Sequence, residues 1–233
     1  LCRVCANNHV GPNGSRLYQP AEGLLDEMIV ETHTLLMHDG SEVLQFASPH
    51  LWKGYRGHST VPYLLQCALM AFENWLIGYV ENLPANNQLN WIYDYVLKSS
   101  NSVLTTAVLA SVAVGFPEKV GASAYPILRS PGLYVLDLMR ALQERGGREL
   151  NWFGTQRDAM SRFFEQERSE SALRSWRSEA LETLLFRFQL SETHQAQSYK
   201  IVDELKLVAE LTGNTSLHFM LHRVNARALE VVE

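Results

Sequence analysis

The sequence predicts an all-α protein of eight to ten helices, packed as a helical bundle or a short solenoid. Hydrophobic residues make up 46% of the 233 residues and charged residues 19%, a composition that supports a buried core. Apolar residues recur with the period of a helix in several long segments. The alternation that marks a half-buried strand is nearly absent, and the turn signals at Asn13-Gly14 and Asp39-Gly40 are weak.

Helical periodicity places the elements in order along the chain. An early helix is predicted over residues 21–37, and the strongest pattern covers residues 61–82, where one wide apolar stripe runs from Leu64 to Val80. Pro62 suits the first turn of that helix. Further helices are predicted over residues 88–98, 103–114, 132–145, 156–168, 171–190, 194–211 and 216–230.

Two of these helices have features that refine the prediction. Residues 103–114 are apolar nearly all round, which is typical of a helix buried between layers, and Asn101 or Ser102 can cap it. Residues 116–131 hold three prolines and predict an irregular connection with a short helix. Gly213 suits the residue that closes the helix over 194–211.

The spacing of the helices suggests how they are organised. The helices near residues 61 and 102 begin about forty residues apart, which is typical of HEAT or armadillo helix pairs. Residues 1–146 are predicted to form an apolar helical core domain. Residues 147–233 are predicted to form a charged, Arg-rich helical extension packed on it, with a single domain as the alternative.

The charge balance argues against general nucleic-acid binding. Twenty basic and twenty-five acidic residues give a net charge of −5, whereas nucleic-acid-binding domains carry a basic surplus. From Arg140 to Arg187 there are nine arginines and no lysine, interleaved with acidic residues. This stretch is interpreted as a solvated, salt-bridged helix face, or as a surface for a phosphate, an acidic partner or nucleic acid.

The cysteines and the hydropathy bear on location and cofactors. Three cysteines without a signal peptide favour an intracellular, cytoplasmic location. No apolar run is long enough to cross a membrane. Cys2, Cys5 and His9 have the spacing of zinc ligands but lack a fourth ligand. In the alternative interpretation, Cys2 and Cys5 bind no zinc and are buried positions on a helix. No metal and no cofactor are predicted.

Histidines carry the enzyme alternative. His33, His38, His50 and His58 lie in the first third of the chain, where they could build a metal site or a His-dependent catalytic site. His218 and His222 have the spacing of a zinc hydrolase pair, but Phe219 stands where the catalytic glutamate belongs. The sequence therefore favours a protein that is not an enzyme.

The segment SPHLWKGYRGHST, residues 48–60, is the predicted interaction loop. It combines aromatic and basic side chains of the kind that anchor interfaces, namely Trp52, Lys53, Tyr55, Arg56 and His58. In a second interpretation the loop packs its aromatic rings against the following helix and ties Arg56 and His58 by hydrogen bonds. A phosphate loop is disfavoured because the segment lacks Gly-Lys followed by Ser or Thr.

Three segments resemble a known family. CALMAFENWLIGYVENLP, which completes the segment starting at residue 61, LKSSNSVLTTAVLASVAVGFP at 97–117 and SWRSEALETLLFRFQ at 175–189 are similar to the helical region of large bacterial STAND or NACHT-like NTPases. Many of those proteins are linked to antiviral defence, and their nucleotide site lies in a separate P-loop domain. The resemblance implies a helical sensing or scaffold module that binds a protein partner or other domains of a larger chain.

Overall fold

The computed structural model describes residues 30–56, 61–84, 89–146, 166, 170 and 173–228. These residues are mostly helical, which confirms the all-α class. The longer helices are α1 (Tyr63–Asn82), α2 (Leu89–Ser99), α3 (Val103–Gly115), α4 (Pro131–Gly146), α5 (Leu181–Leu190), α6 (Gln195–Thr212) and α7 (Thr215–Val224). Single helical turns span Pro49–Trp52, Pro117–Val120, Tyr125–Leu128 and Ser175–Ser178, and 3-10 turns span Gly54–Arg56, Gly121–Ala124 and Ala226–Ala228.

The predicted helix over residues 21–37 is wrong where it can be compared. Strand β1 (Glu31–Leu36) pairs antiparallel with β2 (Glu42–Ala47), and Thr34 lies opposite Leu44. The weak Asp39-Gly40 signal marks the connecting turn, because Gly40 takes a φ of +80° and the Asp39 side chain accepts the Ser41 amide. Residues 21–29 lie outside the described part of the chain.

Helix α3 forms the centre of the molecule, as its uniformly apolar sequence predicts. All of its residues except Thr105 and Gly115 are buried, and it packs against α1, α2 and α5. The Ser102 side chain caps it by accepting the Leu104 amide, and the Tyr93 hydroxyl donates to the Leu109 carbonyl at 2.8 Å.

One hydrophobic cluster extends from Leu35 to Val224 through all seven long helices. It includes Leu181, Leu184 and Leu185 of α5, which pack against α3 and α4. The division into residues 1–146 and 147–233 stays a prediction.

Two predicted helices end differently from expectation. The helix predicted over 171–190 is interrupted in the described residues, because the chain is extended at Glu179 and Ala180 between two helical segments. The helix predicted over 216–230 ends at Val224, where Asn225 caps it in an extended conformation. Gly213 closes α6 with a φ of +63°, as predicted.

Candidate functional site

The predicted interaction loop forms part of the interior. The Ser48 side chain accepts the Leu51 amide at 3.1 Å and starts the turn Pro49–Trp52, which the turn Gly54–Arg56 follows. Trp52 and Tyr55 have no exposed surface, and Lys53 and Arg56 are also buried. His58 lies outside the described residues.

This burial fits the second interpretation of the loop, in which the aromatic rings pack inward and Arg56 is tied by hydrogen bonds. Trp52 donates its ring N–H to Asp137 at 3.1 Å, and the Arg56 guanidinium lies over the Tyr55 ring at 4.3 Å. A role for these residues in contacting a partner stays a prediction.

Arg56 is the centre of a buried ionic cluster that joins four parts of the chain. Its Nη1 lies 3.1 Å from Glu73 Oε1 in α1, and its Nε lies 2.8 Å from Glu144 Oε1 in α4. Its Nη2 donates to Ser111 Oγ in α3 at 3.1 Å and to the Trp176 carbonyl at 2.8 Å. Ser111 in turn donates to Glu73 at 2.6 Å, so the buried carboxylate has two partners.

Arg140 and Asp137, one turn apart on α4, hold the segment before α5. Asp137 accepts from Arg140 Nε at 2.8 Å and from the Leu181 amide at 2.8 Å. Arg140 also donates to the carbonyls of Arg177 and Glu179. These bonds satisfy backbone groups that a continuous helix would pair internally, which explains the interruption between residues 178 and 181.

The cluster has the electrostatics of a structural element. Burial alone would lower the pKa of Arg140, but the neighbouring carboxylates of Asp137 and Glu144 outweigh it and raise that pKa. Burial raises the pKa of Tyr55 to about 12, and its hydroxyl has no hydrogen-bond partner among the described residues. Arg140 therefore stays charged and Tyr55 stays neutral across the neutral range.

A small pocket opens beside this cluster. It is lined by Lys53, Arg56, Arg140, Gln143 and Glu144 and has a volume of about 10 Å³, which is about the room one water molecule needs. Lys53 Nζ donates to Gln143 Oε1 at 2.7 Å across it. The pocket is too small for a substrate.

The described histidines of the first third have separate surroundings. His33 is partly buried with its ring against Gly132, His38 is exposed beside Tyr125, and His50 is buried after Ser48. Burial lowers the pKa of His33, and the partial covering of the His38 ring together with the charge of Arg129 lowers the pKa of His38. No cluster of His, Cys, Asp or Glu within the described ranges could hold a metal ion. Cys2, Cys5 and His9 lie outside those ranges.

The Arg140–Arg187 stretch is not a uniform solvated face. Arg140 is buried. Burial together with the charge of Arg56 lowers the pKa of Arg177. Arg174 lies over the Trp176 ring, and Arg187 pairs with Glu179 at 2.8 Å on the surface. The interpretation as a solvated face is therefore wrong for Arg140.

The outer face of α1 exposes several large apolar side chains. The sequence places Leu64, Ala68 and Trp75 in the same wide apolar stripe as the core residues, but the structure leaves them exposed. The buried side of α1 is formed by Leu65, Leu69, Glu73, Leu76, Ile77 and Val80. The outer face is defined here by Tyr63, Leu64, Cys67, Ala68, Met70, Ala71, Asn74, Trp75 and Gly78.

Aromatic rings stiffen one edge of this outer face. Trp75 stacks between Phe72 and Tyr79, with ring centroids 6.2 Å and 5.5 Å apart and interplanar angles of 17° and 15°. A side chain held in this way loses little further freedom on binding. Beside it, the space over Gly78 is open, since a Cβ built there would meet no atom within 4 Å.

Sequence reasoning missed this surface because helical periodicity reports apolar residues without saying which of them are covered. The signal available in the sequence was the width of the apolar stripe on α1. A helix packed on one side needs an arc of about 100°, and the apolar residues of α1 occupy much more of its circumference.

No described helix by itself has the length and apolar character needed to span a membrane. Comparison of the sequence with models of protein families gives no match. Comparison with curated proteins gives no match either.

Proposed function

We propose that the chain is a helical protein–protein interaction module of a larger bacterial regulatory or antiviral-defence NTPase, and that it binds through the outer face of α1. The observation that carries the proposal is the exposure of large apolar side chains along one rigid helix. Tyr63, Leu64, Met70 and Trp75 are 81%, 72%, 43% and 53% exposed. Contiguous apolar surface of this kind marks binding sites in folded proteins.

The rest of the molecule supports this role by fixing α1 in place. Its inner side packs against α3, and Glu73 is anchored to Arg56 and Ser111 within the core. The outer face is therefore presented on a rigid element, which lowers the entropic cost of binding. The resemblance of residues 61–82, 97–117 and 175–189 to the helical region of STAND-type NTPases supports the assignment to a larger assembly.

Site-specific photo-crosslinking in cells tests the proposal. A photoreactive amino acid replaces Ala68 on the outer face or, as a matched control, the exposed Ala196 on α6. We expect crosslinked products from position 68 that are absent from position 196 and that contain a P-loop NTPase polypeptide. Equal products from both positions, or none from position 68, would overturn the proposal.

A further inference from the structure

The composition of the outer face of α1 restricts what can cover it. From Tyr63 to Val80 the sequence contains one charged residue, Glu73, and that residue is buried against Arg56. The exposed surface of this stretch is thus uncharged. A copy of the same surface can approach it without like-charge repulsion, which is the usual obstacle to identical surfaces meeting.

The sizes of the side chains on this face are arranged about Ala71. Leu64 and Gly78 lie at equal sequence distances on either side of Ala71, and so do Cys67 and Trp75. In an antiparallel pair of α1 helices that crosses at Ala71, Leu64 and Trp75 therefore each face a smaller residue. Leu64 meets the open space over the other copy's Gly78, and Trp75 meets Cys67. A two-fold interface requires this kind of self-complementarity.

The exposed area of the outer face is comparable to the area that one partner buries in a dimer. At roughly 200 Å² for each large side chain, the exposed fractions of Tyr63, Leu64, Met70 and Trp75 give about 500 Å². Cys67, Ala68 and Ala71 are exposed and add to it. A standard interface buries about 800 Å² on each partner, so the outer face supplies most of one. The small residues at the centre allow two helix axes to approach closely.

From this arrangement we propose that the outer face of α1 binds a second copy of this chain, through an antiparallel α1–α1 contact that crosses at Ala71. The inference rests on the proposed function, since it names the partner of the same surface. A partner of different sequence is the competing occupant.

Sedimentation of the full chain over a micromolar concentration range tests the inference. We expect wild type to form dimers, and Ala71→Glu to raise the dimer dissociation constant by about a hundredfold or more, because it places two carboxylates at the crossing point. Ala196→Glu introduces the same charge on the exposed surface of α6 and is expected to leave the dimer unchanged. Circular dichroism checks that each variant is folded.

Mixing two variants separates a specific crossing from a general loss of association. Ala71→Lys alone is expected to be monomeric, and an equimolar mixture of Ala71→Lys with Ala71→Glu is expected to recover dimers of mixed composition. A wild-type chain that remains monomeric throughout the range would overturn the inference. So would dimers that tolerate Ala71→Glu, or a mixture that fails to associate.

These outcomes are distinguishable from failure of the proposed function. If the chain is monomeric but still crosslinks from position 68 to another protein in cells, the surface binds a different partner and only the self-association is wrong. If the chain neither dimerises nor crosslinks from position 68, both proposals fail.

Discussion

Replacing Arg56 by Met isolates the contribution of the buried ionic cluster. The substitution keeps much of the side-chain volume but removes the cation paired with Glu73 and one of the two cations paired with Glu144, which keeps Arg140. The two glutamate side chains are 6% and 13% exposed. The substitution also removes the donor to Ser111 and to the Trp176 carbonyl. Breaking a buried ion pair from one side costs about 3–5 kcal/mol, because a charge stays buried without its counterion.

That cost is a large share of the stability of a domain, which is about 5–15 kcal/mol. For a chain of this size it corresponds to a fall in melting temperature of about 6–20 °C. Urea unfolding followed by circular dichroism measures the free energy directly. The matched control is Arg223→Met, which breaks a surface pair with Glu182 at 2.8 Å and is expected to cost about 0–1 kcal/mol.

Equal losses in Arg56→Met and Arg223→Met, within about 1 kcal/mol, would refute the assignment of the cluster as a structural centre. An intermediate test is Glu73→Gln, which retains hydrogen-bonding groups for Ser111 and Arg56 while removing the charge. Its free energy of unfolding is expected to lie between those of wild type and Arg56→Met in the same urea assay.

Three further predictions concern local structure. Gly213→Ala is expected to lower the free energy of unfolding by about 1 kcal/mol, because Gly213 has a φ of +63°. Gly78 lies inside a helix with open space around it, so Gly78→Ala is expected to raise the free energy of unfolding by about 0.5–1 kcal/mol. Trp52→Phe is expected to cost about 1–3 kcal/mol, because Asp137 loses the ring N–H donor; thermal unfolding with unchanged far-ultraviolet circular dichroism checks it. Burial lowers the pKa of His194, so its neutral form is favoured in the folded state and stability falls as the pH drops below the unfolded value of about 6.5. His194→Phe is therefore expected to show a weaker loss of unfolding free energy between neutral pH and mild acid, and an unchanged slope would contradict the prediction.

The helical elements were predictable because their signal is local. The periodic apolar residues of α1 and α3, the cap at Ser102 and the closing Gly213 each act within a few residues of the helix they define. The hairpin of β1 and β2 was missed because its strands are short and its sequence, ETHTLL, mixes polar and apolar residues without strict alternation. Pairing between strands is a non-local interaction that periodicity does not report.

The ionic cluster could have been anticipated only in part. Glu73 is the one charged residue between Tyr63 and Val80, and it lies on the same side of the helix as the buried Leu69 and Val80. A charge at this position requires a partner in the core. Ser111 in α3 is a similar signal. Their common partner, Arg56, and the link to Glu144 depend on how distant segments pack, so no spacing rule identifies them.

The candidate binding surface on α1 could not be separated from the core by its sequence. Trp75 and Leu64 belong to a helical apolar stripe, and such residues are more often core than surface. Only the position of α3 beneath α1 decides which of them are covered. The residues chosen from the sequence for a contact loop, Trp52, Tyr55 and Arg56, have the composition of an interface anchor but are buried in the fold.

Labelling of Cys67 with a maleimide tests most directly whether the outer face of α1 is a binding surface. Cys67 is exposed on that face, and replacing Cys2 and Cys5 by Ser leaves it as the one thiol to be followed. We expect Cys67 to react much more slowly in the assembled state, in cells or at high protein concentration, than in the dilute purified chain. Ala71→Glu is expected to restore the fast reaction. Equal labelling rates under all these conditions would contradict both expectations.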